Sequence, residues 1–235
     1  MKIAVVCVTY NRPRQLGQMI RCFQRQDYAQ RELVILDDAG QYDPTEGPGW
    51  RLTSIAERFA TLGEKRNAAA RLVSPDVEAL AVWDDDDLYM PWALRASVAA
   101  LRRAPWSRPS LVLHPRPDGS LRQHRTGGLF HSGWAYRRDA FDRAGGYPHK
   151  NNGEDQGLAE RFRRSGVAEA DPLALGFLPF LVYPWAGGMH LSWAGPRGYE
   201  SWSQLVIQSA TAEPRDSPVR LDPSSILPGV HERMF

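Results

Sequence analysis

The chain has 235 residues, 43% apolar and 24% charged, which is the balance of a globular protein long enough to bury a full core. A formal net charge of +2 gives no electrostatic reason to expect a nucleic-acid or membrane-surface partner. The two cysteines, Cys7 and Cys22, follow no disulfide spacing and fit a reducing compartment, and the first residues lack the pattern of a secretory leader, so a cytoplasmic protein is expected.

In chain order, Lys2 to Val8 is a continuous apolar run of the kind used by buried parallel strands. Thr9-Tyr10-Asn11-Arg12-Pro13 breaks it, with Asn11 as the expected helix cap. Leu16, Met19, Ile20 and Phe23 then recur at helical spacing to about Gln26. Leu33 to Leu36 forms a second buried strand ending in Asp37-Asp38-Ala39-Gly40. This βαβ unit predicts a parallel sheet with ligands at the carboxyl ends of its strands. Gln41 to Trp50, rich in Pro and Gly, is expected to be a loop, Gly63 to Leu72 an Ala-rich helix, and Ala79 to Trp83 a third strand. Pro91 opens a helix to about Arg103.

The second half changes character. Pro115 to Gly119 reads as a hairpin turn between Leu111–Leu113 and a run from Ser120. Gly128 to Tyr136 reads as a strand, and Arg138 to Ala144 as a short helix stopped by Gly145-Gly146. Glu154-Asp155 opens an amphipathic helix carrying Leu158 and Phe162 on one side. Leu173 to Met189 is apolar but is broken by Gly176, Pro179 and Pro184, so it reads as core and loop and not as a membrane span. A helical piece near residues 203–210 precedes a Pro-containing tail.

Val82-Trp83-Asp84-Asp85-Asp86-Asp87 stands out chemically: four carboxylates follow an apolar run and repel one another unless a cation intervenes. Alone, the run fits either a solvated acidic loop or a divalent-metal site, since hard oxygen ligands suit Mg²⁺ or Mn²⁺. Asp37 and Asp38 fit a turn cap as well as a ligand contact, and Glu154-Asp155 fits the helix dipole as well as catalysis.

Taken in order, these motifs resemble the family 2 glycosyltransferases of GT-A fold. The resemblance covers about Lys2 to His190. It rests on Thr9 to Pro13, Leu36 to Gly40, Arg66-Asn67-Ala68-Ala69, Asp84 to Asp87 with Pro91 and Leu94 behind, Gly145-Gly146-Tyr147, and Gly153-Glu154-Asp155 with Leu158 and Arg161. It implies an α/β fold: a single Rossmann-like GT-A domain over residues 1–200, with a mostly parallel central sheet flanked by helices and a smaller antiparallel acceptor-side portion. Residues 1–105 would be the nucleotide-binding half and residues 106–200 the acceptor and catalytic half, leaving 201–235 as a carboxyl-terminal helix and tail.

The resemblance also implies an inverting, metal-dependent sugar transfer from a nucleotide-diphosphate sugar to an acceptor hydroxyl. In the family's D-x-D pattern the third position touches Mn²⁺ or Mg²⁺, which here is Asp86, with Asp84 and Asp85 toward the ribose or metal-bound water. Asp87 would serve the acceptor side or face solvent. Asp38 would accept from the base edge, Thr9 and Tyr10 would line base and ribose, Arg66 would approach base or phosphate, and Arg12 would lie near the diphosphate. Asp155 would be the catalytic base, Glu154 would hold the acceptor or the helix end, and His190 would complete the metal site. Trp134, Trp185 and Trp193 are candidates for stacking on a sugar ring, with core packing as the competing role. The other five histidines are assigned to solvent or packing.

A UDP-sugar is the expected donor, with GDP- or dTDP-sugars as alternatives, and the acceptor is a glycan or small molecule. The turn after the second strand departs from the family's Gly-Ser in having Ala39-Gly40. Two other readings compete. A sugar-nucleotide nucleotidyltransferase would carry a Gly-rich loop after the first strand, and Thr9 to Pro13 has no Gly. A non-catalytic nucleotide-binding protein of the same fold is the other, against which Asp86 and Asp155 both argue. The absence of an apolar span argues against a processive membrane polymerase.

Overall fold

A computed structural model describes residues 1–115 and 120–183; His190, Trp185, Trp193 and the expected helical piece at 203–210 lie outside the described residues. The elements in order are β1 (Ile3–Thr9), α1 (Pro13–Gln24), β2 (Arg31–Asp37), β3 (Thr45–Gly47), β4 (Trp50–Ser54), α2 (Leu62–Arg71), β5 (Ala79–Val82), β6 (Leu88–Tyr89) and α3 (Ala93–Leu101). They continue with β7 (Trp106–Ser107), β8 (Leu111–Pro115), β9 (Leu121–Arg125), β10 (Ala135–Arg137), α4 (Arg138–Arg143), α5 (Glu154–Arg164), β11 (Glu169–Ala170) and β12 (Leu181–Val182).

The main sheet runs β11-β7-β10-β5-β1-β2-β4-β3. Its centre, β5-β1-β2-β4, is parallel, while β10 and β3 run against their neighbours. A smaller sheet, β6-β12-β8-β9, has two antiparallel pairs and one parallel pair. All seven residues of β1 are buried because strands flank it and helices cover both faces. The pleat sorts them. Ile3, Val5 and Cys7 pack with Leu16, Met19 and Phe23 of α1 and Leu94 of α3. Ala4, Val6 and Val8 pack with Ala69 and Ala70 of α2 and Leu158 and Phe162 of α5. Each large side chain buried this way contributes roughly 1.5–3 kcal/mol.

Several local expectations change. Asn11 does not cap α1; its φ is +55°, a left-handed conformation that Asn tolerates, and Arg12 takes the cap position with no side-chain cap bond. The stretch Gln41 to Trp50 is not all loop. Thr45–Gly47 pairs antiparallel with Trp50–Ser54, which in turn extends the sheet parallel to β2. The strand read across Gly128 to Tyr136 shrinks to Ala135–Arg137, since Gly127, Gly128 and Gly133 adopt left-handed φ values that break a ladder. Helix α2 begins as its sequence dictates, with a reciprocal cap: Glu64 N donates to Thr61 Oγ1 (3.2 Å) and Thr61 N to Glu64 Oε2 (3.0 Å). Among the described residues no helix is long and apolar enough to cross a membrane.

Candidate active site at the carboxyl ends of the central strands

Parallel β1, β2 and β5 end on the same edge, so Thr9, Asp37-Asp38 and the acidic turn Asp84–Asp87 meet there. The four aspartates alternate in environment: Asp84 is half-buried, Asp85 and Asp87 are buried, and Asp86 is exposed. The turn is pinned from below. Asp84 N donates to the Tyr89 hydroxyl (2.8 Å), which bonds Ser132 Oγ (2.6 Å), and the Tyr89 ring stacks on Trp83.

Each carboxylate has a different partner. Asp85 accepts from Thr9 Oγ1 (2.6 Å) on one oxygen and from Arg12 Nη1 (3.1 Å) on the other. The same Arg12 nitrogen reaches Asp86 Oδ2 at 2.6 Å. Burial and the Asp86 charge push Asp85 up to about 6, against the opposing effects of Thr9 and Arg12. Asp87, contrary to the solvent-facing alternative, is buried next to Ser132. Its Oδ2 finds no hydrogen-bond partner among the described residues, and burial with Asp86 and Asp84 holds its carboxyl well above the ordinary range.

Arg66 joins the two halves of the site. Its Nη2 donates to Asp84 Oδ1 (3.1 Å), and its Nε stands 3.3 Å from Glu154 Oε1, an ion pair without hydrogen-bond alignment. Burial disfavours the Arg66 charge, but Asp84 and Glu154 outweigh it and raise the group further. Glu154 is buried, and that burial pushes it up to about 7 although Arg66 pulls the other way. Asp155, one residue on, is half-buried; its carboxylate accepts from Gln156 N (2.7 Å), and burial raises its pKa.

The helix geometry is fixed by neighbouring motif residues. Asn67 clamps the backbone of Tyr147, accepting from its N (2.8 Å) and donating to its O (2.9 Å). Arg161 of α5 donates to Gly145 O (2.8 Å) and Gly146 O (2.9 Å). The Arg-Asn, Gly-Gly-Tyr and Glu-Asp segments are thus one hydrogen-bonded unit. Gly146 is required there: its φ is +65°, and a Cβ would fall 2.5 Å from Asn67 Oδ1.

The glycosyl transferase family 2 profile matches residues 4–107, from β1 through β7. Among solved structures, residues 1–349 of S. aureus TarS in complex with UDP-GlcNAc superpose with a TM-score of 0.65 at 16% identity, over 91% of this chain and 68% of that one. A mannosyltransferase from Pyrobaculum calidifontis, in complex with GDP-Man and Mn²⁺, gives a TM-score of 0.57 at 18% identity, over 95% of this chain and 67% of that one. Among curated proteins none matches in sequence at a significant level. Residues 4–107 thus match the family 2 glycosyltransferases in sequence, and the fold is that of these two solved structures.

Most of the expected site residues converge, with two shifts and one correction. Asp38 sits at the end of β2 but is buried. It accepts from the Lys65 ammonium and, at 3.3 Å, from Phe59 N. Lys65, which also donates to Thr9 O (2.5 Å), was not singled out from the sequence. The available signal was its place beside Arg66 as one of only three lysines. Arg66 itself faces Asp84 and Glu154, so Lys65 and not Arg66 reaches the end of β2. Tyr10 lies half-buried with Arg58 over its ring, 3.9 Å from the centroid. Trp134 is not an acceptor platform. It is 0% exposed, edge-on to Trp106 and His131, and cannot reach a sugar.

Proposed function

We propose that this protein is a glycosyltransferase that catalyses inverting, divalent-metal-dependent transfer of a sugar from a nucleoside-diphosphate donor to an acceptor hydroxyl, with Asp155 as general base and Asp86 as metal ligand. The observation that carries the reading is Arg66, whose single guanidinium touches Asp84 on the donor side and Glu154 on the acceptor side. That contact brings the acidic turn and the Glu154-Asp155 helix start to within one side chain of each other. Inversion needs this opposition, because the hydroxyl attacks from the face away from the departing diphosphate.

The residues present fit Mn²⁺ or Mg²⁺. Asp85 Oδ1 and Asp86 Oδ2 already converge on one cationic atom, Arg12 Nη1, at 3.1 and 2.6 Å. Among the described residues no three His, Cys, Asp or Glu side chains are grouped to hold a metal alone. Mg²⁺-type sites take one or two carboxylates and complete their shell with water and substrate phosphate, so this supports a shared site. A divalent ion there supplies Lewis-acid stabilisation of the leaving diphosphate. His190 remains the proposed further ligand. The domain reading, with residues 1–105 serving the nucleotide and 106–200 the acceptor, is retained on the same grounds.

In the reaction the acceptor oxygen bonds to the anomeric carbon, the carbon–phosphate oxygen bond breaks with its electrons going to the diphosphate, and Asp155 takes the hydroxyl proton. A carboxylate with a raised pKa is a better acceptor of that proton near neutrality than an ordinary one. Thr9, Tyr10, Asp38 and Asp84 line the strand ends where base and ribose would lie. A UDP-sugar is the favoured donor, with GDP- or dTDP-sugars as alternatives; the two solved neighbours named above hold UDP-GlcNAc and GDP-Man. The decisive experiment is Asp155→Asn assayed against a nucleotide-sugar panel with Mn²⁺. Donor binding is expected to persist while turnover falls by roughly 10²–10⁴-fold. Wild-type turnover in that variant removes Asp155 as the base.

A further inference from the structure

We propose that Arg12 is a resident counter-ion of the acidic turn, exchanging its carboxylate partners for the donor's diphosphate when a divalent ion enters, so that metal and nucleotide bind as a cooperative pair. The inference deepens the metal reading above and rests on it.

The geometry singles out Arg12 among the cations of the site. One nitrogen, Nη1, is shared by Asp85 Oδ1 (3.1 Å) and Asp86 Oδ2 (2.6 Å). A guanidinium nitrogen placed between two carboxylate oxygens occupies the point on which a metal bound to both would sit. Mg²⁺ needs its oxygens at roughly 2.1 Å. Arg12 Nη1 and such an ion therefore cannot hold these two oxygens together.

The two arginines of the turn also differ in how firmly they are held. Arg66 lies on α2 and is buried between Asp84 and Glu154. Arg12 lies on the turn after β1, its side chain 18% exposed, and its short contact is to Asp86, whose side chain is 43% exposed. Asp85 keeps a second anchor, Thr9 Oγ1 on its other oxygen, so it stays in place if Arg12 leaves. The acidic turn is thus pre-shaped by a cation on its solvent side, which offsets the mutual repulsion of Asp84, Asp85 and Asp86 until a ligand arrives.

A displaced guanidinium needs an anion, and a diphosphate is the partner its planar fork matches best. Metal and diphosphate both favour the arrangement in which Arg12 has left the carboxylates. Two ligands that favour the same state strengthen each other, and by the same factor in both directions. Arg12 thereby makes the site discriminate against metal without nucleotide and against nucleotide without metal.

The test is titration calorimetry and Mn²⁺ electron paramagnetic resonance on the full chain, with MnCl₂ alone, UDP or GDP alone, and each pair. Wild type, Arg12→Gln and Arg12→Lys are compared. Wild type is expected to bind Mn²⁺ weakly alone and more tightly with the nucleotide. Arg12→Gln is expected to bind Mn²⁺ alone about tenfold more tightly, as the loss of a charge-assisted competitor allows, and to lose most of the nucleotide's enhancement. Arg12→Lys, which keeps the charge without the fork, should fall between and covers the case in which the Gln variant fails to fold. Equal Mn²⁺ affinity in wild type and both variants overturns the exchange while leaving the metal site standing. If no protein binds Mn²⁺ with or without nucleotide, the metal reading falls and the exchange falls with it.

Discussion

Arg66→Met tests whether the link between the two acidic clusters is energetic as well as geometric. Methionine keeps much of the stem's packing but removes the charge shared by Asp84 and Glu154. Glu154 titrates near 7 in the folded protein against an ordinary 4.5, a difference corresponding to roughly 3 kcal/mol. Because its folded value is raised, its contribution to stability is fully present below about 4.5 and is lost as the pH rises through about 7. Arg66 works against that rise, so without it the carboxyl moves higher still. Below about pH 6 Glu154 is largely protonated in both proteins, and the variant should show only a pH-independent offset from the lost Asp84 contact. Above about pH 7 the two stability curves should separate by about 1.4 kcal/mol per pH unit until the variant's own pKa is reached. Urea unfolding at about pH 6 and pH 8, with the slope held common, reads the effect directly. A destabilisation of equal size at both values would falsify the claim that Glu154 depends on Arg66 for its charge.

Asp86→Ala should abolish the Mn²⁺-dependent part of nucleoside-diphosphate binding, measured by thermal shift; unchanged affinity would move the metal elsewhere. Trp134→Ala should lower stability by roughly 3–5 kcal/mol through the cavity it leaves against Trp106 and His131, with acceptor KM unchanged in the folded fraction. A raised acceptor KM at native stability would restore Trp134 to the site.

The central sheet was legible because its signals are local. A run such as Ile3–Thr9 cannot sit half-exposed, and the helices α1, α2 and α5 carry apolar residues at the right period. Elements whose stability comes from neighbours were not legible. Trp50–Ser54 has only Leu52 fully buried and reads as loop, but β2 on one side and β3 on the other hold it as a strand. The glycines near Gly128 and Gly133 look compatible with a strand until their φ values show that the chain is turning there.

At the site, sequence order located the acids but not their partners. Lys65 and Arg66 are consecutive, and on an α-helix consecutive side chains point about 100° apart. One therefore runs to Asp38 and the end of β1, while the other runs to Asp84 and Glu154. A motif that points to Arg66 identifies the helix but not which strand end each of its two cations meets, because only the docking of α2 sets which face meets which strand end. That docking is fixed by Asn67 on Tyr147, eighty residues along the chain. The charge pattern at the strand ends is therefore set by a contact from a distant part of the chain, and neither segment specifies the site alone.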